Sequence, residues 1–237
     1  MGDRMDTAFS VILLAAGSGL RMGAATRKQY IEVGGFPLIY YPLSVFEKSA
    51  AAEIILVVPD GDLEYVKRDI VDRYGFRKVS AIVAGGKERY LSVYEGLRQV
   101  KLPYVLVHDG ARACITEQVI RDVADASVEY GACEAAVPSV DTVKIADPDG
   151  FVQMTPPRQQ VWSIQTPQGF KTGLLRDAYR VVFEKDMTEG LTDDAMLVER
   201  AFPEHRIRLV QGDDRNIKVT TPKDLAIVEG ILASNIS

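Results

Sequence analysis

The regular alternation of short apolar runs with helical patterns constrains this chain most. "FSVILLA" (9–15), "EIILVVP" (53–59), "KVSAIVA" (78–84) and "YVLVHD" (104–109) are rich in Val, Ile and Leu and bounded by Gly, Pro or Asp. Strands buried on both faces read this way. Helical patterns lie between and after them. Segment 37–48 opens with Pro37 at a favourable first-turn position, and 62–73 carries Leu63, Val66 and Ile70 on one face. Segment 88–100 repeats Tyr90, Val93, Tyr94, Leu97 and Val100, and 116–130 starts at the N-cap candidate Thr116. Strands alternating with helices predict an α/β fold, a doubly wound and mostly parallel sheet.

The pattern changes after Gly131. The stretch 133–166 holds short β-like pieces, several prolines and the turn sequence "DPDG" (147–150). It predicts an irregular β excursion, an arm set between halves of one sheet. Helical patterns return at 172–185 and 193–201, a strand is expected at 206–211, and Pro222 opens a last helix over 222–233. The 237 residues are expected to form one domain.

The chain is acidic, with a formal net charge of -5, yet Arg21, Arg27 and Lys28 cluster after the first strand without an acidic neighbour. Overall acidity argues against broad nucleic-acid binding, so any anion site must be local. No apolar run is long enough to span a bilayer, and the N-terminus lacks a signal-peptide pattern. These features predict a cytoplasmic protein. Cys114 and Cys133 have no metal-ligand spacing and read as buried thiols.

The loop in "VILLAAGSGLRMGAATRKQY" (11–30) fits neither standard nucleotide fingerprint. The dinucleotide pattern would need glycine at Met22, and the Walker pattern needs a Gly-Lys-Ser/Thr triplet that the chain lacks. What remains is A-A-G-x-G-x-R-M-G, with Lys28 five residues after Gly23. Gly17 and Gly19 permit close backbone approach to a phosphate, Arg21 offers a planar fork of donors, and Lys28 a mobile point charge. A solvated turn with incidental charge is the plain alternative; the density of positive charge in an acidic chain favours an anion site.

Other segments are weaker alone. Gly85 and Gly86 in "VAGGKERYLSV" (83–93) could bring backbone to a base edge, with Ser92 one turn into the next helix. An isolated Gly-Gly is more often a simple strand-to-helix turn. "VLVHDGAR" (105–112) ends a strand at Asp109, where α/β sheets bind ligands, and Arg112 follows three residues on. A structural Asp–Arg pair is the alternative, and His108 reads as a sheet-end residue. Thr192 is a candidate N-cap ahead of first-turn acids Asp193 and Asp194. Lys218 is expected in a short strand, where a lone lysine usually faces solvent. Thr142, Arg158 and Thr166 each read as loop or strand surface.

Taken together and in this order, "LLAAGSGLRM", "RKQY", "GGKER", "VHDGAR", "VDTVK", "QTPQGF", "TDDA" and "NIKVTTPKDL" resemble the 2-C-methyl-D-erythritol 4-phosphate cytidylyltransferases over nearly the whole chain. The resemblance implies a Rossmann-like domain whose β arm, at about 139–160, is exchanged between subunits of a homodimer. It implies cytidylyl transfer from CTP to methylerythritol phosphate with release of pyrophosphate, in non-mevalonate isoprenoid synthesis, with Mg2+ as cofactor. By the same resemblance Arg21, Lys28 and Lys218 are catalytic and bind the triphosphate. Ala15, Ala16, Gly17, Gly19, Gly86 and Ser92 would bind CTP, the cytosine pocket being too small for a purine. Asp109, Arg112, Thr142, Arg158, Thr166 and Thr192 would bind the second substrate, Thr142 and Arg158 from across the dimer, and Asp109 would lie near the metal. Leu20, Lys87 and Ala113 depart from the family's usual residues, and none removes a charge assigned to catalysis. The nearest alternative is a ribitol 5-phosphate cytidylyltransferase; a sugar 1-phosphate nucleotidyltransferase shares only the first loop. A non-catalytic nucleotide-binding protein would have no need to keep Arg21, Lys28 and Lys218.

Overall fold

The computed structural model describes residues 7–17 and 27–234. Its centre is a seven-stranded sheet built from β1 (Phe9–Leu14), β4 (Ala51–Val58), β5 (Val79–Ala84), β6 (Tyr104–Asp109), β7 (Ala132–Pro138), β10 (Trp162–Lys171) and β11 (Arg208–Gln211). Two small ribbons complete the strands: β2 (Glu32–Val33) with β3 (Phe36–Pro37), and β8 (Ile145–Ala146) with β9 (Val152–Met154). The main sheet runs β11-β7-β10-β6-β1-β4-β5. All its neighbours are parallel except β10, which is antiparallel to both β6 and β7. This is the mostly parallel α/β sheet that the alternation predicts, Rossmann-like as the resemblance implies.

The strands read as continuous apolar runs because each face has its own cover. Along β1, Val11 and Leu13 face one core while Ile12 faces the other; along β4, Ile54, Leu56 and Val58 alternate with Ile55 and Val57 in the same way. Helices α1 (Tyr40–Lys48) and α4 (Glu117–Tyr130) cover the first face with Leu43, Phe46, Val119, Ile120 and Val123. Helices α3 (Arg89–Leu97), α5 (Thr172–Glu184) and α6 (Asp194–Ala201) cover the second with Val93, Leu97, Leu175, Tyr179 and Leu197. The last helix, α7 (Pro222–Ser234), packs Val228 into a smaller core with Val219, Leu38 and Ala113.

Several local expectations hold. Thr116 caps α4, its Oγ1 accepting from Val119 N at 3.3 Å, and Gly131 ends that helix in the left-handed region at φ 84°. Asp147 organises the turn of the β8–β9 ribbon, its Oδ1 accepting from the N–H groups of Asp149 and Phe151. Cys114 and Cys133 are buried free thiols, and burial pushes Cys133 up to about 12.

Others are corrected. Pro37 does not open a helix: it lies in β3, and α1 begins three residues later at Tyr40. The N–H groups of Leu38 and Ile39 donate to Ile31 O and Gln29 O, and this tie to the preceding segment keeps the chain extended. In the 62–73 segment, α2 (Leu63–Tyr65) widens into π-helical turns over Val66–Asp72. Thr192 is not the cap of α6; Asp193 is, its Oδ1 accepting from Met196 N at 2.9 Å. Lys218 lies outside any strand, in an extended segment whose Val219 N donates to Ala111 O.

Candidate active site

Chain order reverses at β1, which is flanked by β4 on one side and β6 on the other. The parallel strands end together there: Leu14 pairs with Asp109, and Val58 with Ala84. Such a reversal opens a crevice beyond the carboxyl ends of the strands. A cavity of about 420 Å³ occupies this place, and Ala15, Ala16, Gly17, Lys28, Gly86, Ser92, Asp109 and Lys218 all line it. Residues from the two ends of the sequence thus converge as expected. Arg21 and Gly19 lie outside the described residues.

Glycine is required on the wall beside Ser92. A Cβ on Gly85 would run into Ala16 Cβ and come within 2.9 Å of Ser92 Oγ, and one on Gly86 would run into Leu91 Cβ. The start of α3 therefore packs directly on the end of β1. Ser92 Oγ donates to Glu88 O at 3.2 Å. On the opposite wall Gln29, which is buried, donates from Nε2 to Ala15 O at 2.7 Å and pins the start of the glycine loop.

Asp109 is the electrostatic centre. Its Oδ2 lies 2.7 Å from Lys218 Nζ and its Oδ1 3.3 Å from Arg89 Nε. Arg89 Nη1 lies 2.8 Å from Asp194 Oδ2. Burial alone would raise the Asp109 carboxyl; Arg89 and Lys218 outweigh it and hold the group well below the usual carboxylate range. Burial disfavours a charge on Arg89, but Asp194 and Asp109 keep it cationic. Lys28 Nζ donates to Val219 O at 3.0 Å, which brings it beside the segment that carries Lys218. The alternative reading, a structural Asp109–Arg112 ion pair, does not hold. Arg112 instead donates to Asn216 O at 2.7 Å and Ile164 O at 3.3 Å.

Thr166 sits beneath the site and accepts from Asp109 N at 3.0 Å. Its Oγ1 is also 3.0 Å from His108 Nδ1, while His108 Nε2 is 3.3 Å from Arg112 O. A carbonyl can only accept, so Nε2 carries the proton and Nδ1 accepts from Thr166. Burial lowers His108 to about 4, which leaves the ring neutral at physiological pH. His108 thus acts as a spacer between Thr166 and the Arg112 loop. Thr192 is exposed and does not line the cavity. Thr142 and Arg158 lie on the arm, where Arg158 Nη2 donates to Thr142 Oγ1 at 3.1 Å, and neither reaches the cavity of its own chain.

Sequence reasoning passed over three residues of this site: Gln29, Arg89 and Asp194. Gln29 and Arg89 stand inside quoted motifs, "RKQY" and "GGKER". Asp194 reads as an ordinary first-turn acid, and only its complete burial against Arg89 marks it.

Among the described residues no group of three His, Cys, Asp or Glu side chains converges as a metal cluster does. Glu88 and Asp109 are the carboxylates lining the cavity. That donor set fits an ion such as Mg2+, which takes one or two carboxylates and completes its shell with phosphate oxygens and water.

Known proteins resemble this chain over nearly its whole length. The family model of 2-C-methyl-D-erythritol 4-phosphate cytidylyltransferase matches residues 9–234. The protein of that name from Lachnoclostridium phytofermentans is 47% identical over 224 residues, covering 94% of this chain and 95% of the relative. The one from Alkaliphilus oremlandii is 46% identical over 226 residues, with 94% of each covered. Among solved structures, 4-diphosphocytidyl-2C-methyl-D-erythritol synthase from Anaerococcus prevotii superposes with a TM-score of 0.83 at 33% identity, covering 96% of this chain and 99% of that one. The cytidylyltransferase from Thermus thermophilus gives 0.76 at 30% identity, covering 94% and 98%.

Proposed function

Because this chain belongs to the 2-C-methyl-D-erythritol 4-phosphate cytidylyltransferase family, we propose that the cavity beyond β1 and β6 binds CTP and methylerythritol 4-phosphate side by side. The reaction transfers the cytidylyl group of CTP to the substrate phosphate, giving 4-diphosphocytidyl-2-C-methyl-D-erythritol and pyrophosphate. The observation that carries the site assignment is the pairing of Lys218 and Arg89 with Asp109 in a cavity that Lys28 also lines, against a wall of small residues at Ala15, Ala16 and Gly86.

The chemistry needs little from the protein beyond charge and alignment. The attacking group is already an anionic phosphate oxygen, so no general base has to activate it. The barrier is the approach of two polyanions and the negative charge that grows on the α-phosphoryl oxygens. Lys28 and Lys218 supply positive charge at that place, and the family resemblance assigns the same task to Arg21, which lies outside the described residues. Asp109 holds Lys218 in position and keeps Arg89 in the wall. The small wall residues admit a pyrimidine, with Ser92 at its edge. The family resemblance assigns Arg112, Thr166 and Thr192 to the methylerythritol phosphate, although none of the three lines the cavity of this chain. Mg2+ would be held by triphosphate oxygens with Asp109 as the carboxylate in reach, and would supply further charge neutralisation.

The arm supports a homodimer. Val140, Phe151 and Val152 on it are 81%, 72% and 61% exposed. Large apolar side chains gathered on a projecting ribbon mark an interaction surface. Thr142 and Arg158 flank that ribbon and are joined by a hydrogen bond, and the exchange of the arm implied by the family resemblance would bring both to the partner's cavity. No helix among the described residues is long and apolar enough to cross a membrane.

The test is pyrophosphate release from CTP and Mg2+, run with methylerythritol 4-phosphate and, in parallel, with ribitol 5-phosphate. Release with the first substrate alone is expected. Release with ribitol 5-phosphate alone would keep the CTP site and overturn the choice of alcohol.

A further inference from the structure

A glutamate is an unusual residue to bury in the middle of a sheet. Glu134 is such a residue: it lies on β7, within the main sheet, is only 7% exposed, and is not part of the catalytic cavity. Its neighbours in the strand alternate between the two cores, Ala132 on the α5–α6 side and Cys133 on the α4 side. Glu134 therefore points toward α6. Its Oε2 accepts from Gln168 Nε2 at 2.8 Å, and the same amide nitrogen donates to Asp193 Oδ2 at 3.2 Å. The other end of that carboxamide works on α6 as well. Gln168 Oε1 accepts from Asp194 N at 3.0 Å and Ala195 N at 3.3 Å, the first N–H groups of the helix.

A continuous polar chain therefore leads from Glu134 to the reacting centre. It passes through Gln168 to the first turn of α6, through Asp194 to Arg89, and through Arg89 to Asp109 and Lys218. We propose that Glu134 is a positioning residue for Asp109: by orienting the Gln168 carboxamide it fixes the first turn of α6, and that turn holds Arg89 against Asp109. This rests on the reading of the Asp109–Lys218 cavity as the active site.

The arrangement works while Glu134 is a neutral acid. The ionisable groups acting on it are Asp193, Glu199 and Asp194, all acidic and all on α6 or its cap. Its cross-strand partners Gln168 and Leu209 carry no charge, and Arg208 on β11 turns away to stack over Tyr130 of α4. Burial, then these like charges, raise Glu134 from 4.5 to about 8. The sign follows from linkage. Between about pH 4.5 and 8 the folded protein keeps a proton that the unfolded chain has released, so this group's contribution to stability falls as pH rises and its cost is complete above about 8. Ionisation next to Asp193 would push the α6 cap away from the strand and slacken the Asp194–Arg89 contact.

The variants Glu134→Gln and Glu134→Leu separate positioning from simple packing. Glu134→Gln keeps a neutral acceptor for Gln168 and cannot ionise. It is expected to match the wild type at pH 7 and to hold kcat as pH rises through 8, where the wild type declines. Glu134→Leu removes the acceptor and is expected to lower kcat by about tenfold or more with little change in KM for CTP, because a displaced group costs alignment rather than binding. Superimposable pH profiles of wild type and Glu134→Gln, or an unchanged kcat in Glu134→Leu, would overturn the proposal. A readout free of variants and of activity is the NMR titration of wild-type Glu134 together with the Arg89 Nε–H signal. Both should move with one midpoint near 8. A Glu134 midpoint near 4.5, or an Arg89 signal that ignores it, would also overturn the proposal. Coupled signals in a protein without cytidylyl transfer would leave the coupling standing and reject the active-site reading instead.

Discussion

Asp109 balances two cations with one carboxylate, and that sets what its replacement does. Asp109→Asn preserves shape and removes the charge facing Lys218 and Arg89. We expect kcat to fall by about 100-fold or more, the scale of losing one preorganised electrostatic contact, as read by pyrophosphate release. The acid side of the stability profile should change too. The folded Asp109 carboxyl lies below its ordinary 3.8, so its contribution is complete above about pH 4 and is lost as pH falls through the folded value. Thermal unfolding should therefore drop less steeply below pH 4 in Asp109→Asn than in the wild type; equal slopes would contradict the pairing. Gly85→Ala tests the nucleotide wall. Its Cβ collides with Ala16 Cβ and crowds Ser92 Oγ, so KM for CTP should rise by about tenfold or more, one lost interaction of about 1.4 kcal/mol. At this scale the sequence identifies charged residues better than their partners. Arg112 and Asp109 look like a pair three residues apart, yet Arg112 turns to the carbonyls of Asn216 and Ile164, and Asp109 finds Lys218 and Arg89 from distant segments.

At the scale of elements, the helix ends and the arm give the sharpest expectations. Gly131 holds φ 84° at the end of α4, and an L-residue there costs about 1–2 kcal/mol. Gly131→Ala should lower Tm by roughly 2–8 °C, taking about 2–4 °C per kcal/mol for a chain of this size, with kcat unchanged. The exposed arm residue Phe151 is expected to anchor the dimer: Phe151→Glu should shift the species seen by light scattering toward monomer. It should also lower activity, because Thr142 and Arg158 would leave the partner's site. A wild-type protein that is monomeric at assay concentration and fully active would reject the exchange. Strands β1, β4 and β6 are legible in the sequence because burial on both faces leaves unbroken apolar runs, and β5 shows a similar run although it is a half-buried edge strand. The placement of Pro37 in β3 is not legible, because bonds distant in sequence, such as Ile39 N to Gln29 O, tie that segment down; the π-helical turns over Val66–Asp72 leave no mark in the sequence pattern either. The α6 cap illustrates the same limit: Thr192 and Asp193 are both good caps by type, and the fold selects Asp193.

The whole molecule is a doubly wound sheet whose order reversal creates the crevice, and whose long connections bring Lys28 beside the segment that carries Lys218. Most of that architecture can be read from the alternation of runs, and the position of the site follows from it, because ligands bind where the strand order reverses. What the sequence leaves hidden are the supporting contacts of the site: Gln29 on Ala15, Asp194 on Arg89, and the buried Glu134. Such residues show no pattern along the chain. The central claim is that Lys28 and Lys218 act on charge that develops during transfer. The most direct test measures kcat and the CTP dissociation constant together for Lys28→Ala and Lys218→Ala. The account predicts kcat lower by about 100-fold or more in each, with CTP binding weakened far less. Near-normal turnover, or CTP binding lost in proportion to kcat/KM with kcat intact, would contradict it.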